Sequence, residues 1–259
     1  SSDIINNGGA GLVVDSSIVA ITVTNINDNL LGIFASDSDL SLMRCEIAGS
    51  DSFGISLMDS SIVQIDSSLI VSNQGNGVVA DSSFIVLMST IIEDNEIGLS
   101  GNNVNISLLK CDVIENNDIG ISIRDTSTVR IDSCIINNND EGGLNVQNST
   151  ITVHRAEFNE NDYGIILEHS DLVMSQVSMS RNFNGGFVAF NGCDIKLNFC
   201  KVEENRYRAG IHIDGSTFIA NQCLVRGNYA EWGGGIRLIS CNAGIYNTYF
   251  TENSADDWA

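Results

Sequence analysis

Proline is missing altogether, and charged side chains account for only 17% of the 259 residues. With 43% hydrophobic residues beside them, these scarcities exclude a disordered chain, which is rich in proline and charge and poor in apolar residues. Basic residues are the scarcer charge: 12 Lys and Arg face 33 Asp and Glu, a formal net charge of −21. Nucleic acid is thereby set aside as a partner, because phosphate binding needs clustered Lys and Arg. Polyanionic sugars such as pectate meet the same repulsion unless a cation bridges. No apolar run reaches the ~18 residues that would cross a membrane as a helix. No charged-then-apolar signal segment opens the chain, which begins with Ser. The excess of carboxylates favours solubility and leaves Ca²⁺ association open.

What the chain has in abundance is repetition. A column of Asn recurs at Asn29, Asn73, Asn95, Asn116, Asn139, Asn161, Asn182, Asn205, Asn228 and Asn253, with Ser50 in the same place, at steps of 21 to 25 residues. Five residues before each lies a small residue such as Cys45, Ser68, Thr90, Cys111, Cys134, Ala156, Cys200 or Cys223. Two residues after the small one comes an apolar residue, among them Ile47, Ile70, Ile92, Val113, Ile136, Phe158, Val202 and Val225. The stretch Cys111 to Asp125 holds the whole pattern once. With the opening Ile4-Ile5-Asn6-Asn7 the chain holds about twelve turns of ~22 residues.

Within a repeat the apolar period is two, as in Val129-Arg130-Ile131, Ile151-Thr152-Val153 and Ile195-Lys196-Leu197, which is the strand pattern. The runs are short and separated by Gly, Asn, Asp and Ser, so no helix fits. The spacing predicts an all-β fold: one continuous parallel β-solenoid over 1–259, three short strands per coil, each pairing with its copy in the next coil. At roughly 4.8 Å per coil the rod is roughly 55 Å long.

Each column then has a physical duty. The aliphatics stack in the lumen, and the small residues fill tight bends. The Asn column forms a hydrogen-bonded ladder at a bend, where Asn also tolerates left-handed backbone angles. Gly54, Gly98, Gly120, Gly164, Gly186 and Gly210 fit positive φ or close approach just before a strand. Asp15, Asp37, Asp59, Asp81, Asp125 and Asp214 form an acidic turn column, usually followed by Ser.

The 22-residue step, the Asn ladder and the Asn-x-x-Gly core (Asn95 to Gly98, Asn161 to Gly164) resemble the right-handed parallel β-helix superfamily of pectin-lyase-like proteins. The last coils, Val225 to Ile236 and Phe250 to Ala255, are similar to the F-x-x-N and G-G-A-I repeats of polymorphic outer-membrane proteins and related surface adhesins. The first resemblance implies the fold; the second implies a cell-surface passenger. The chain opens and closes in mid-repeat, so a segment of a longer protein is expected, with neighbouring domains or further copies stacked on its ends.

Polysaccharide lyases of this superfamily use Ca²⁺ and an Arg or Lys base, and its galacturonases carry N-T-D, D-D, G-H-G and R-I-K motifs. None of those four motifs is present, and Asp256-Asp257 lacks a partner His. The catalytic candidates are His212, Asp214 and Arg237, with Arg206 and Arg208 nearby. Alternation places His212 and Asp214 outward on one exposed sheet, with Arg237 one coil later, a set able to bind an acidic sugar or do acid–base work. The plainer reading is a solvated face with ion pairs. Stacked Asp15, Asp37, Asp59 and Asp81 are Ca²⁺ candidates, against which stand ordinary turn residues splayed into water. No other cofactor is implied. Seven Cys are read as small buried thiols, with Cys193 and Cys241 at turns and open to exposure. Asn105 and Asn148 head glycosylation sequons.

The expected function is a non-catalytic structural or adhesive rod of an extracellular, cell-surface or filament protein. Regular coils without long inserted loops build no substrate cleft. The alternatives are a polysaccharide-active lyase, hydrolase or epimerase, or a carbohydrate-binding module. For the last, Tyr163, Phe183, Tyr207, Tyr229 and Trp232 follow the Asn column in successive coils and would stack on cell-surface glycans.

Overall fold

The computed structural model describes residues 2–258, and among them every helix or strand is a strand. Three parallel sheets run the length of the chain. The first has twelve strands, including Asp112–Ile114; the second has eleven, including Ile119–Arg124; the third has eleven, including Thr128–Asp132. Successive strands of a sheet come from successive coils in strict register: Ile92 pairs with Val113 and Val113 with Ile136. A fourth, two-stranded sheet joins Tyr229–Trp232 to Ser254–Trp258. This is the parallel solenoid that the spacing predicts.

The core is a set of stacked columns. Ile47, Ile70, Ile92, Val113, Ile136, Phe158, Met179, Val202 and Val225 are all fully buried. Each such side chain contributes roughly 1.5–3 kcal/mol on leaving water, and the neighbouring coils supply the cover. In the last coil that cover ends: Leu238, Ile245 and Phe250 occupy core columns yet are 37–40% exposed.

The Asn ladder is continuous from Asn73 to Asn253. From Asn95 on, each Asn receives at its Oδ1 both the backbone N–H and the Nδ2 of the preceding Asn, as Asn139 does from Asn116 at 3.2 and 2.9 Å, whereas Asn73 receives only the N–H of Ser50. The Nδ2 of Asn139 donates to a core-strand carbonyl one coil back, that of Val113, at 3.2 Å. The expectation about backbone angles needs correction. The ladder residues are not left-handed; the residue before each one is, as at Asp94, Glu115 and Asn138 with φ of 52°, 54° and 56°. The amide stays free to bond along the rod because its neighbour makes the bend.

The strand-entry glycines are likewise there for space and not for φ. A Cβ on Gly120 would stand 2.8 Å from Nδ2 of Asn139 and 2.9 Å from the carbonyl oxygen of Gly143. Small residues are needed because the ladder amide passes over them.

Two further expectations fail. Asp15, Asp37, Asp59 and Asp81 do not form one stack: Asp15 registers with Ser36, Ser36 with Met58, and Asp81 with Asn102, so that only Asp37 and Asp59 take equivalent places in adjacent coils. Asp37 and Asp59 sit one residue further into the turn with exposed carboxylates, Asp59 accepting from the Ser36 hydroxyl at 2.9 Å. Cys193 is buried at 2% exposure, its thiol directed to the carbonyl of Phe190, while Cys241 is half-buried. All seven Cys are free thiols. Adjoining thiols and burial push Cys134, beside Cys111, and Cys200, beside Cys223, above the ordinary thiol range.

Candidate functional site

The regular coil leaves two or three residues between a ladder Asn and the next strand-entry Gly, as at Asn95–Gly98 and Asn116–Gly120. The last turns are longer: four residues separate Asn205 from Gly210, and six separate Asn228 from Gly235. These extra residues build a site. In the first of the two turns, the N–H of Arg208 donates to the carbonyl of Arg206 at 2.8 Å across Tyr207. Tyr207 is left-handed (φ 61°) and lies outside the repeating left-handed columns, so a bulky side chain is held in a costly conformation. The second turn becomes the strand Tyr229–Trp232, which leans on Ser254–Trp258; the hydroxyl of Tyr229 donates to Asp256 at 2.7 Å.

Between the two turns opens a cleft of about 320 Å³, lined by Tyr207, Arg208, His212, Glu231, Trp232 and Arg237. A groove beside it runs past Glu204, Arg206, Tyr207 and Tyr229. The aromatic candidates gather along this edge. Phe183 and Tyr207 stand with ring centroids 4.4 Å apart, and the guanidinium of Arg208 lies 5.9 Å from the ring centroid of Tyr163. Phe183, Tyr207, Tyr229 and Trp232 are 42–57% exposed, a large apolar area to leave wet.

His212 departs from its expected setting. It points outward between the core residues Ile211 and Ile213, yet it is only 6% exposed, with the ring of Phe190 at 5.8 Å. Burial first, then the charges of Arg237 and Arg208, hold its pKa below the ordinary imidazole value, with Asp214 opposing. The imidazole is therefore neutral at pH 7. Arg237 is its register partner in the next coil. Asp214 is half-buried at the strand end and does not line the cleft. The ion pairs expected on a solvated face are not there: among the described residues Arg206, Arg208 and Arg237 pair with no carboxylate, whereas Arg155 holds Asp132 at 3.0 Å and Arg226 holds Glu203 at 3.1 Å. The last two coils thus hold a cleft where none was expected; hollows of about 320 Å³ by Arg155 and Lys201 and about 400 Å³ by Asn138 and Phe183 lie on the regular coils, and what sets this one apart is its lining.

Other polar groupings lie outside this cleft. Asp132, His154 and Ser175 register across three coils of the third sheet, with His154 Nδ1 and Ser175 Oγ 2.6 Å apart. Burial works against ionisation of Asp132, but the Ser133 hydroxyl and the Arg155 guanidinium outweigh it and hold the carboxyl below its ordinary range. Asp118 is raised to about 6 by burial and by Glu141 and Glu96 in adjoining coils. Asn105 and Asn148 are both exposed.

Among solved structures the chain is similar to the periplasmic alginate epimerase AlgG (TM-score 0.53, 11% identity, 93% of this chain and 77% of that one). It is also similar to the A-module of the Azotobacter vinelandii mannuronan C-5 epimerase AlgE6 (TM-score 0.52, 14% identity, 93% and 80%). Pectate lyase Pel9A matches with a TM-score of 0.54 at 10% identity, over 96% of this chain and 70% of that one. At such identities the likeness is one of fold. Among curated proteins no sequence match is found. The family model of the right handed beta helix region matches residues 1–104, 40–172 and 96–255. With its parallel sheets, stacked core and Asn ladder, the chain belongs to the right-handed parallel β-helix family.

Proposed function

We propose that this chain is a non-catalytic, adhesive rod of a secreted or cell-surface protein, and that it meets glycans at its C-terminal coils. One observation carries the reading: the coils are uniform until the turns after Asn205 and Asn228 lengthen, and what those turns add is exposed Tyr and Trp beside arginines. Aromatic faces stack on sugar rings, and a rigid row of coils holds them in fixed order. The uniformity elsewhere supports a structural duty for the rest of the rod.

A second reading is favoured by one feature, the neutral His212 beside two arginines in a cleft, which is the equipment of acid–base chemistry on a sugar acid. The epimerases and lyase of like fold lend it the same direction. One experiment separates the two. The chain is incubated with a panel of polysaccharides, and both retention and new chain ends are measured. Retention that Tyr207→Ala and Trp232→Ala weaken, with no unsaturated or reducing ends released and no epimerised residues formed, is the expected result. Product formation that His212→Gln abolishes overturns the non-catalytic reading.

A further inference from the structure

We infer that the cleft takes an anionic sugar, its charged group seated between the guanidinium groups of Arg208 and Arg237 beside the His212 imidazole. This deepens the glycan-binding reading and rests on it.

The first support is electrostatic. In a chain of net charge −21, arginines should find carboxylates easily. Arg130, Arg155, Arg181 and Arg226 do, whereas among the described residues Arg44, Arg124 and Arg206 stand singly without a carboxylate. Arg208 and Arg237 lack one too, although they line one cleft together. Two guanidinium groups without an ion-pair partner in the same concavity repel each other, and a bound anion relieves that repulsion. Glu231, the carboxylate lining the cleft, still leaves the pair in excess.

The second support is shape. A volume of about 320 Å³ is at the small end of ligand sites and suits a sugar ring or two more than a long chain segment. Tyr207 and Trp232 line the same cleft and offer ring faces. Arg208 also lies near the face of Tyr163, so its guanidinium plane has a backstop.

The third support is the imidazole. The groups facing His212 are Arg208 and Arg237, with Glu231 and Tyr207 in the cleft, Asp214 on its own strand and the ring of Phe190 from the strand before. An anion between the arginines offsets the two positive charges that keep His212 neutral. Binding therefore takes up a proton, and affinity rises as the pH falls toward the imidazole range.

The test is titration calorimetry of the full chain with three oligosaccharides of one backbone: neutral, carboxylated and sulfated. The anionic sugars are expected to bind about tenfold tighter than the neutral one at low salt, the size of one charge-assisted bond. That advantage should shrink at high salt. Arg208→Met and Arg237→Met should each erase it while leaving the β-rich circular dichroism unchanged. Repeating the titration in two buffers of different ionisation enthalpy should show proton uptake with the anionic sugars, lost in His212→Gln. The carboxylated and sulfated arms identify which anion is preferred, and a preference for either supports the proposal. Equal binding of neutral and anionic sugars, or an anion preference that survives Arg237→Met, overturns it and leaves the glycan-binding reading standing. No binding of any of the three overturns both.

Discussion

Asn139 sends three side-chain hydrogen bonds into the coil that carries Asn116: its Oδ1 accepts from the N–H and the Nδ2 of Asn116, and its Nδ2 donates to the carbonyl of Val113. All of these groups are buried. Asn139→Ala takes these partners from the N–H of Asn116 and the carbonyl of Val113, at about 1–3 kcal/mol for each group left unsatisfied, while Asn116 Nδ2 keeps the carbonyl of Ile114 at 3.1 Å. The expected loss is about 3 kcal/mol after relaxation, read as a lowered urea midpoint. Asn117→Ala, at an exposed neighbour, should stay within about 0.5 kcal/mol of the parent. Equal effects of the two substitutions would show that the ladder adds no stability.

Ser50 interrupts the column between Asn29 and Asn73, and its buried hydroxyl has no hydrogen-bond partner. The space is shaped for an amide: a Cβ on Gly32 meets no ladder nitrogen, while one on Gly54 meets Nδ2 of Asn73 at 2.8 Å. Ser50→Asn should join the ladder, donating to Asn73 as Asn73 donates to Asn95. A stabilisation of about 1 kcal/mol is expected. A drop in thermal midpoint would show that the bend at Gly49 and Ser50 is too tight for the amide.

Gly120→Ala tests the reason for the glycine column. Backbone and amide atoms stand in the way of its Cβ, and neither yields easily. Overpacking of this kind costs typically about 1–3 kcal/mol. Gly9→Ala, where a Cβ meets nothing within 4 Å, should be neutral or slightly stabilising. Calorimetric midpoints of the two variants decide it.

Asp118 has a raised pKa, about 6, caused by burial and by Glu141 and Glu96. Its unfolded value is roughly 3.9. The folded chain therefore holds this proton after the unfolded chain has released it. The stability linked to it is complete below about pH 4 and is lost as the pH rises through about 6. Relative to the parent, Asp118→Asn should gain stability from pH 4 to pH 7 and show no gain at pH 3.5. Denaturation curves across that window carry the test; a parallel offset at every pH would assign the effect to packing.

The thiols should react in two classes. Cys241 is half-buried, whereas Cys45, Cys111, Cys134, Cys193, Cys200 and Cys223 are 0–3% exposed. An aromatic disulfide reagent should label Cys241 in the native chain and all seven only after denaturation. Rapid native labelling of Cys193 would contradict its burial.

The architecture was legible because three linked columns recur at a nearly constant step, and only one kind of fold stacks identical side chains every ~22 residues. The turn chemistry was less so. Asn favours left-handed angles on its own, but the ladder needs its amide aligned with the rod, so the residue before it makes the bend. Period two told which way His212 points and nothing of its cover, which comes from Phe190 and the long turns. The cleft did leave a trace in the sequence. Counting from Asn to Asn, the steps of 23 and 25 residues around Asn205, Asn228 and Asn253 differ little from the rest; counting from Asn to Gly isolates the lengthened turns.

The bonds between coils all lie along the rod, since each strand pairs with its copy in the next coil. A pull on the two ends therefore loads every rung in series, and no rung shares its load with another coil. The molecule should yield one turn at a time, each release paying out ~22 residues, or about 70 Å of chain. Extension under load should therefore release length in about a dozen small stages in place of a single cooperative rupture.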